Sequence, residues 1–190
     1  MKTSQNGMAR ILADEGERLT AYFDIAGVAT ISVGVTDGVT AADVYSKRTI
    51  TKEESQVMFA MALAPRESAV EQMCTRQPTQ NQFDALVSLA YNIGVGKAGG
   101  KGGLYNSSVL KFHNTGDFQA AATAFGLYNK ARVDGVLQPV KGLTNRRARE
   151  AELYLTVDTE PVIAPVAQPK TTGLLALLFK ILQAIFSKKP

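Results

Sequence analysis

Two carboxylates and a hydroxyl stand close together near the start of the chain. Glu15 is followed after eight residues by Asp24, and Asp24 after five by Thr30. The residue order predicts a helix that ends at Glu15, a turn through Gly16, and an extended run that carries Asp24. Such a layout can set two carboxylates on opposite walls of a cleft. Hydrolysis of a glycosidic bond needs that pair: a protonated carboxyl to protonate the leaving oxygen, and an ionised carboxylate to position water or stabilise the oxocarbenium ion. A hydroxyl at Thr30 could hold the water. By spacing alone, the same residues also read as a helix terminus followed by a hairpin with solvated charges, because neighbouring carboxylates are common on surfaces. Glu17 reads as surface charge.

Other chemistries are excluded by composition. The chain has 190 residues, 45% of them apolar and 20% charged, with one Cys and one His. One Cys rules out an internal disulfide, and with a single His it rules out a conventional zinc site. Ser-His-Asp machinery would have to rest on His113. Acid–base work therefore falls mainly to Asp and Glu, and neither a cofactor nor a metal is expected. Cys74, beside Met73, reads as a small, partly buried hydrophobe. His113 reads as a solvated histidine at a helix end. Gly94, Gly96 and Gly99 match the dinucleotide pattern G-x-G-x-x-G, but they follow a predicted helix where that pattern needs a strand. They read as a glycine-rich, flexible surface loop. The net charge of +4 suits an anionic polymer or an anionic membrane.

These groups are to be held by a helix-dominated α+β domain with one small sheet near its start. The first helix runs through Met8, Ile11 and Leu12. Extended runs at Thr20–Asp24 and Val28–Val35 suggest a small hairpin. Thr51 and Glu54 form a capping-box pattern that opens a helix with Val57, Met58, Met61 and Ala62 on its apolar face; Pro65 is expected to stop it. Thr79 and Gln82 open another, with Phe83, Leu86, Val87, Ala90 and Tyr91 at helical spacing and Gly94 at its end. Further helices are expected at Ser108–Asn114, Asp117–Asn129 and Thr144–Tyr154.

Composition changes near residue 157. Residues 157–172 carry prolines at 161, 165 and 169 and read as an extended tether. Residues 173–190 read as an amphipathic helix. Leu174, Leu178, Phe179, Leu182 and Phe186 belong to its apolar surface, and Lys180 lies in a narrow polar stripe. A membrane span needs about 20 apolar residues, whereas residues 173–186 reach only about 20 Å as a helix. An interfacial helix fits better, with Lys188 and Lys189 meeting anionic head groups. The same surface could instead dock on protein. The chain thus divides into three parts: 1–156, 157–172 and 173–190. No apolar stretch follows Lys2, so no secretory signal peptide is expected and synthesis in a cytoplasm is implied.

Residues 5–156 resemble the phage-type lysozymes, glycoside hydrolase family 24. The resemblance rests on Asp14-Glu15-Gly16, on the spacing of Glu15, Asp24 and Thr30, and on the run from Gln82 through Asp84-Ala85-Leu86-Val87-Ser88 to Ala90-Tyr91-Asn92-Ile93-Gly94. Gly116-Asp117-Phe118 and Gly142-Leu143 with Arg146, Arg147 and Glu150 complete it. It implies a two-lobe lysozyme-like fold, with Glu15 as general acid, Asp24 as second catalytic carboxylate and Thr30 as the hydroxyl that holds water. It suggests that Arg146 or Arg147 approaches Glu15 from the last helix, Arg146 being the better candidate. The implied activity is that of a phage endolysin. It would cut peptidoglycan between N-acetylmuramic acid and N-acetylglucosamine, as a monomer that binds no nucleic acid. It would be made in the host cytoplasm and would act in the periplasm after release through a holin. Two alternatives are a membrane-disrupting protein whose domain mainly targets the wall, and a binding domain that keeps the fold. The family often reads Thr-Ile-Gly-x-Gly-His where this chain reads Thr30-Ile31-Ser32-Val33-Gly34-Val35. Tyr128 stands where a Trp is common, and Arg149 where Ala is usual.

Overall fold

The computed structural model describes residues 1–24 and 26–157. The expected tether from residue 158 onward and the helix expected over 173–190 lie outside the described residues, as do the residues named above for membrane contact. The described chain is mostly helical with two small antiparallel sheets. Its helices are α1 (Gln5–Glu15), α2 (Ala41–Tyr45), α3 (Lys52–Met73), α4 (Gln80–Ile93), α5 (Ser108–Thr115), α6 (Phe118–Ala124) and α7 (Lys141–Leu155). Strands β1 (Arg18–Phe23) and β2 (Ala29–Ser32) form one sheet, and β3 (Lys130–Val133) and β4 (Val136–Pro139) form the other.

Two apolar clusters define two lobes. The small one gathers Ala21, Ile31 and Ile50 behind β1 and β2, with Met58 packed against it. The large one contains Ile11, Phe59, Leu63, Val70, Leu104, Phe125 and Tyr154 with the apolar face of α4. Since α3 supplies Met58 to the first and Phe59, Leu63 and Val70 to the second, it is the element that joins the lobes.

Helix α4 is the centre of the large lobe. The expected face is buried from Phe83 to Ala90, but so are Asp84, Ala85, Ser88 and Leu89, so the helix is enclosed on nearly all sides. Its buried polar groups are paired. Asp84 Oδ1 accepts from the Ser4 amide at 3.0 Å, and Ser88 Oγ donates to Glu150 Oε1 at 2.6 Å. Helix α1 crosses so close that a Cβ on Gly7 would stand 2.6 Å from Asp84 Cγ.

Several expectations change. Helix α3 passes through Pro65 and continues to Met73. Phe59 and Leu63 before the proline, and Glu67 and Val70 after it, are all buried, so packing on both sides holds the helix together. Pro65 faces solvent, as does Met61, whose carbonyl loses its partner to the ring and can bond water instead. The expected apolar face is corrected at Met61, which is exposed, and extended by the buried Phe59 and Leu63, while Met58 packs on the small cluster and Val57 and Ala62 are half-buried. Helix α6 ends at Ala124 and a 3₁₀ turn covers Phe125–Tyr128. The β3–β4 hairpin was not expected. Asp134-Gly135 makes its two-residue loop, with positive φ at both positions and Val133 paired to Val136. His113 is not solvated but fully buried. Its Nε2 donates to the Arg76 carbonyl at 2.9 Å, and its Nδ1, 2.7 Å from Tyr154 Oη, accepts the phenolic proton. The glycine-rich loop is tied at its base, where Leu104 and Tyr105 donate to the carbonyls of Gly94 and Val95 at 2.9 Å each.

Candidate active site

Glu15 is the last residue of α1. Ser4 caps the start of that helix through the Gly7 amide, and Gly16 ends it with φ 75° while donating to the Leu12 carbonyl. A positive φ of that size suits glycine and turns the chain straight into β1. The Glu15 side chain is 26% exposed, and its Oε1 accepts from Arg146 Nη1 at 2.6 Å.

Arg146 is the hub of a buried ionic cluster on α7, with its side chain 6% exposed. Its Nε lies 3.1 Å from Glu150 Oε1, its Nη2 donates to the Ser88 carbonyl at 3.3 Å, and Asp14 Oδ2 stands 3.6 Å away. Arg147 binds other partners. Its Nε pairs with Glu150 Oε2 at 2.7 Å, and its Nη1 donates to Asn92 Oδ1 at 3.0 Å. Arg149, at the surface, pairs with Asp14. Burial pushes the Glu150 carboxyl above its ordinary range, and the two arginines and Ser88 work against that shift. Burial likewise works against the charge on Arg146, but Glu15 and Glu150 more than offset it, so its pKa stands above the ordinary value.

Asp24 follows the last residue of β1. Its Oδ1 accepts from the amides of Ala26 at 2.9 Å and Val28 at 2.8 Å, and its own amide donates to the Val28 carbonyl at 3.0 Å. This is an aspartate that closes its own turn. Thr30, on β2 opposite Tyr22, is 2% exposed and donates Oγ1–H to the Val28 carbonyl at 2.8 Å. The backbone of Val28 thus ties Asp24 and Thr30 together. The Thr30 proton is committed, so the hydroxyl can meet a water only as acceptor.

Tyr91 of α4 holds the chain that leaves β2. Its hydroxyl donates to the Val33 carbonyl at 2.6 Å, beyond β2, and the Arg66 guanidinium of α3 sits 4.5 Å over its ring. Burial, the largest influence, raises its pKa, and the Glu15 charge adds to that rise.

Sequence reasoning did not assign roles to Asp14, Ser88, Tyr91 or Glu150. For Glu150 a signal was present: it stands three and four residues after the two arginines, where helical neighbours meet. Glu17 is more than surface charge, since it accepts from Ser55 Oγ at 2.7 Å. Burial pushes the Cys74 thiol up to about 11, which keeps it protonated and unreactive at neutral pH. Among the described residues, no group of three or more His, Cys, Asp or Glu is placed to hold a metal ion.

A family model described as phage lysozyme matches residues 13–150. The endolysin of Salmonella phage P22 is 41% identical over 157 residues, which cover 82% of this chain and 99% of that protein. Among solved structures, an endolysin from Escherichia coli O157:H7 phage FAHEc1 superposes with a TM-score of 0.70 at 35% identity, covering 82% of this chain and 94% of that one. The muramidase domain of SpmX from Asticaccaulis excentricus superposes with a TM-score of 0.72 at 32% identity, covering 82% of this chain and 99% of that one.

Proposed function

The chain belongs to the phage lysozyme family, and from that premise we propose that Glu15, Asp24 and Thr30 are the residues with which it cuts peptidoglycan. It is a lysozyme of the endolysin type, a muramidase that lyses the bacterial cell wall. The bond cut joins N-acetylmuramic acid to N-acetylglucosamine. Glu15 is the general acid. Arg146 takes up Oε1, so the proton for the leaving oxygen belongs on Oε2. The guanidinium is itself fixed by Glu150 and the Ser88 carbonyl, and it therefore orients the acid as well as pairing with it. Asp24 supplies the second carboxylate, on a turn held by its own Oδ1. Thr30, tied to the same residue as Asp24, accepts from the attacking water.

The observation that carries this reading is the short Glu15–Arg146 pair at the end of the helix that leads into the Asp24 strand. Glu15→Gln tests it. The amide cannot give up a proton, so hydrolysis of purified peptidoglycan should fall by about 10²–10⁴-fold while the thermal midpoint changes little. Activity within a few-fold of the parent would remove Glu15 from the mechanism. Purified wall contains no lipid, so loss of its turbidity also separates hydrolysis from a purely membrane-disrupting action.

The tail is proposed to meet an anionic membrane surface. The support is its sequence: a surface that includes Leu174, Leu178, Phe179, Leu182 and Phe186, with Lys180, Lys188 and Lys189 as the cations. Synthesis in the host cytoplasm, release through a holin and action on the wall from the periplasm fit that arrangement, as does a monomer that binds no nucleic acid. Among the described residues, no helix is long and apolar enough to cross a membrane.

A further inference from the structure

Glu17 and Ser32 stand two positions after Glu15 and Thr30 respectively, and a third residue joins them. Ser55, in the first turns of α3, is fully buried and donates its Oγ–H to Glu17 Oε1 at 2.7 Å. Ser32 Oγ lies 2.6 Å from Ser55 Oγ and 3.2 Å from the Ser55 carbonyl. A serine hydroxyl has one proton. That of Ser55 goes to the carboxylate, so the proton between the two serines comes from Ser32. The donors therefore run from Ser32 through Ser55 to Glu17. The chain ends on a charge and both serines are shielded from water, so each bond polarises the next.

The backbone of Ser32 adds a second observation. Its φ is 59°, in the left-handed region that side chains seldom adopt. Glycine would carry no steric cost in that conformation. Here a serine keeps the strained backbone, and its side chain, 1% exposed, is committed to Ser55. Strain of this kind persists where the surroundings over-determine it. The adjoining turn is closed by Ile31 and Val35, which exchange both backbone hydrogen bonds at 2.9 Å. Tyr91 holds the Val33 carbonyl within it. The turn after Thr30 is thus pinned to α3 at one point and to α4 at another.

We propose that the Ser32–Ser55–Glu17 chain is a positioning device for the reaction. It fixes the strand of Thr30 and the chain leaving Glu15 against the start of α3, so that acid and water-holding hydroxyl keep their separation. The proposal rests on the roles given above to Glu15 and Thr30. The three residues act through those groups and are positioning residues.

The test uses the full chain, soluble peptidoglycan fragments for kcat and KM, and amide hydrogen exchange. Ser32→Ala and Ser55→Ala each remove a donor, and Glu17→Leu removes the terminal acceptor. In these three, kcat should fall about tenfold or more with KM nearly unchanged, since misplacement by about 1 Å can cost about 10²-fold. Glu17→Gln keeps an oxygen acceptor and should recover most of the loss. Ser32→Gly relieves the backbone without restoring the hydroxyl, so it should raise the thermal midpoint above that of Ser32→Ala and leave kcat low. Combining Ser32→Ala with Glu17→Leu should cost no more than the worse single change, because both break one chain. Exchange at the Ile31 and Val35 amides should quicken in every variant that loses activity. A parent-like kcat in Ser32→Gly, losses that multiply in the double variant, or a loss carried wholly by KM would overturn the proposal. A parent with no hydrolysis, or a Glu15→Gln variant as active as the parent, would instead overturn the functional reading, and hydrogen exchange would still decide whether the chain holds the turn.

Discussion

Asp24 closes its own turn, and the catalytic role proposed for it can be separated from that by substitution. Its Oδ1 closes the turn through the amides of Ala26 and Val28, which needs an acceptor but not a charge. The proposed chemistry needs the charge. Asp24→Asn should therefore leave the thermal midpoint near that of the parent and remove most of the hydrolysis, whereas Asp24→Ala should lose both. The turn bonds in the Ala variant are each worth about 0.5–1.5 kcal/mol, with more at stake for a charged acceptor. Thermal melts and turbidity assays on the pair of variants check this, and an active Asn variant would end the second-carboxylate role. At this scale the spacing of Glu15, Asp24 and Thr30 is visible in the sequence, but spacing alone also fits a helix end and hairpin with solvated charges, and it is the resemblance that singles the three out. The ionic cluster around Arg146 was less legible. An arginine four residues before a glutamate usually marks a solvated helix face, and nothing local says that α7 turns that face inward against Ser88 and Asn92.

Helix α5 delivers His113 to α7, and the contact makes stability depend on pH. The neutral ring is matched on both nitrogens, donating to the Arg76 carbonyl and accepting from Tyr154. Burial, then the nearby Arg76 charge, outweigh the help of that carbonyl and hold its pKa below the ordinary 6.5. Tyr154 and Cys74, the other titratable groups there, are both shifted upward by burial and stay neutral. A base with a depressed folded pKa lets the unfolded chain take up its proton first. The contribution of neutral His113 is thus complete above pH about 6.5 and is lost as pH falls through the folded value. His113→Gln offers one donor and one acceptor without titrating, so unfolding free energy measured between pH about 7 and 5 should fall less steeply than in the parent. Equal slopes would show that His113 is not the linked group. The elements themselves were read best where local signals agree, as in α4, with its capping box at Thr79 and glycine at its end. Pro65 misled because a local breaker was outweighed by burial on both sides of it, a tertiary fact. The β3–β4 hairpin carries a local signal in Asp134-Gly135, but its strands are four residues each and mostly exposed, so burial imposes no consistent alternation of apolar residues on the pair.

At the scale of the whole molecule, the contacts of residues 153–156 show how α7 finishes against the large core. Tyr154 and Leu153 are buried in the large core, and Asn81 Nδ2 of α4 donates to the Thr156 carbonyl at 3.1 Å. Thr156 itself returns its hydroxyl to Glu152, which finishes α7. Every group that holds the proposed site, from Ser4 to Glu150, lies before that point. A chain ending at Thr156 should therefore fold with a thermal midpoint within a few degrees of the parent and hydrolyse purified peptidoglycan at the parental rate. It should lose binding to vesicles that contain anionic lipid. Three lysines near such a surface contribute about 1 kcal/mol each, and the apolar surface adds its insertion, so the parental binding should weaken as salt is raised. Cosedimentation with anionic and with neutral vesicles measures the loss directly. Fractionation of expressing cells then separates two uses of the same residues: an anchor stays with inner membranes, and a permeabiliser remains soluble until it meets a bilayer. If truncation alters neither vesicle binding nor the lysis of intact cells, the apolar surface packs on protein, and the membrane role fails while the muramidase reading stands untouched.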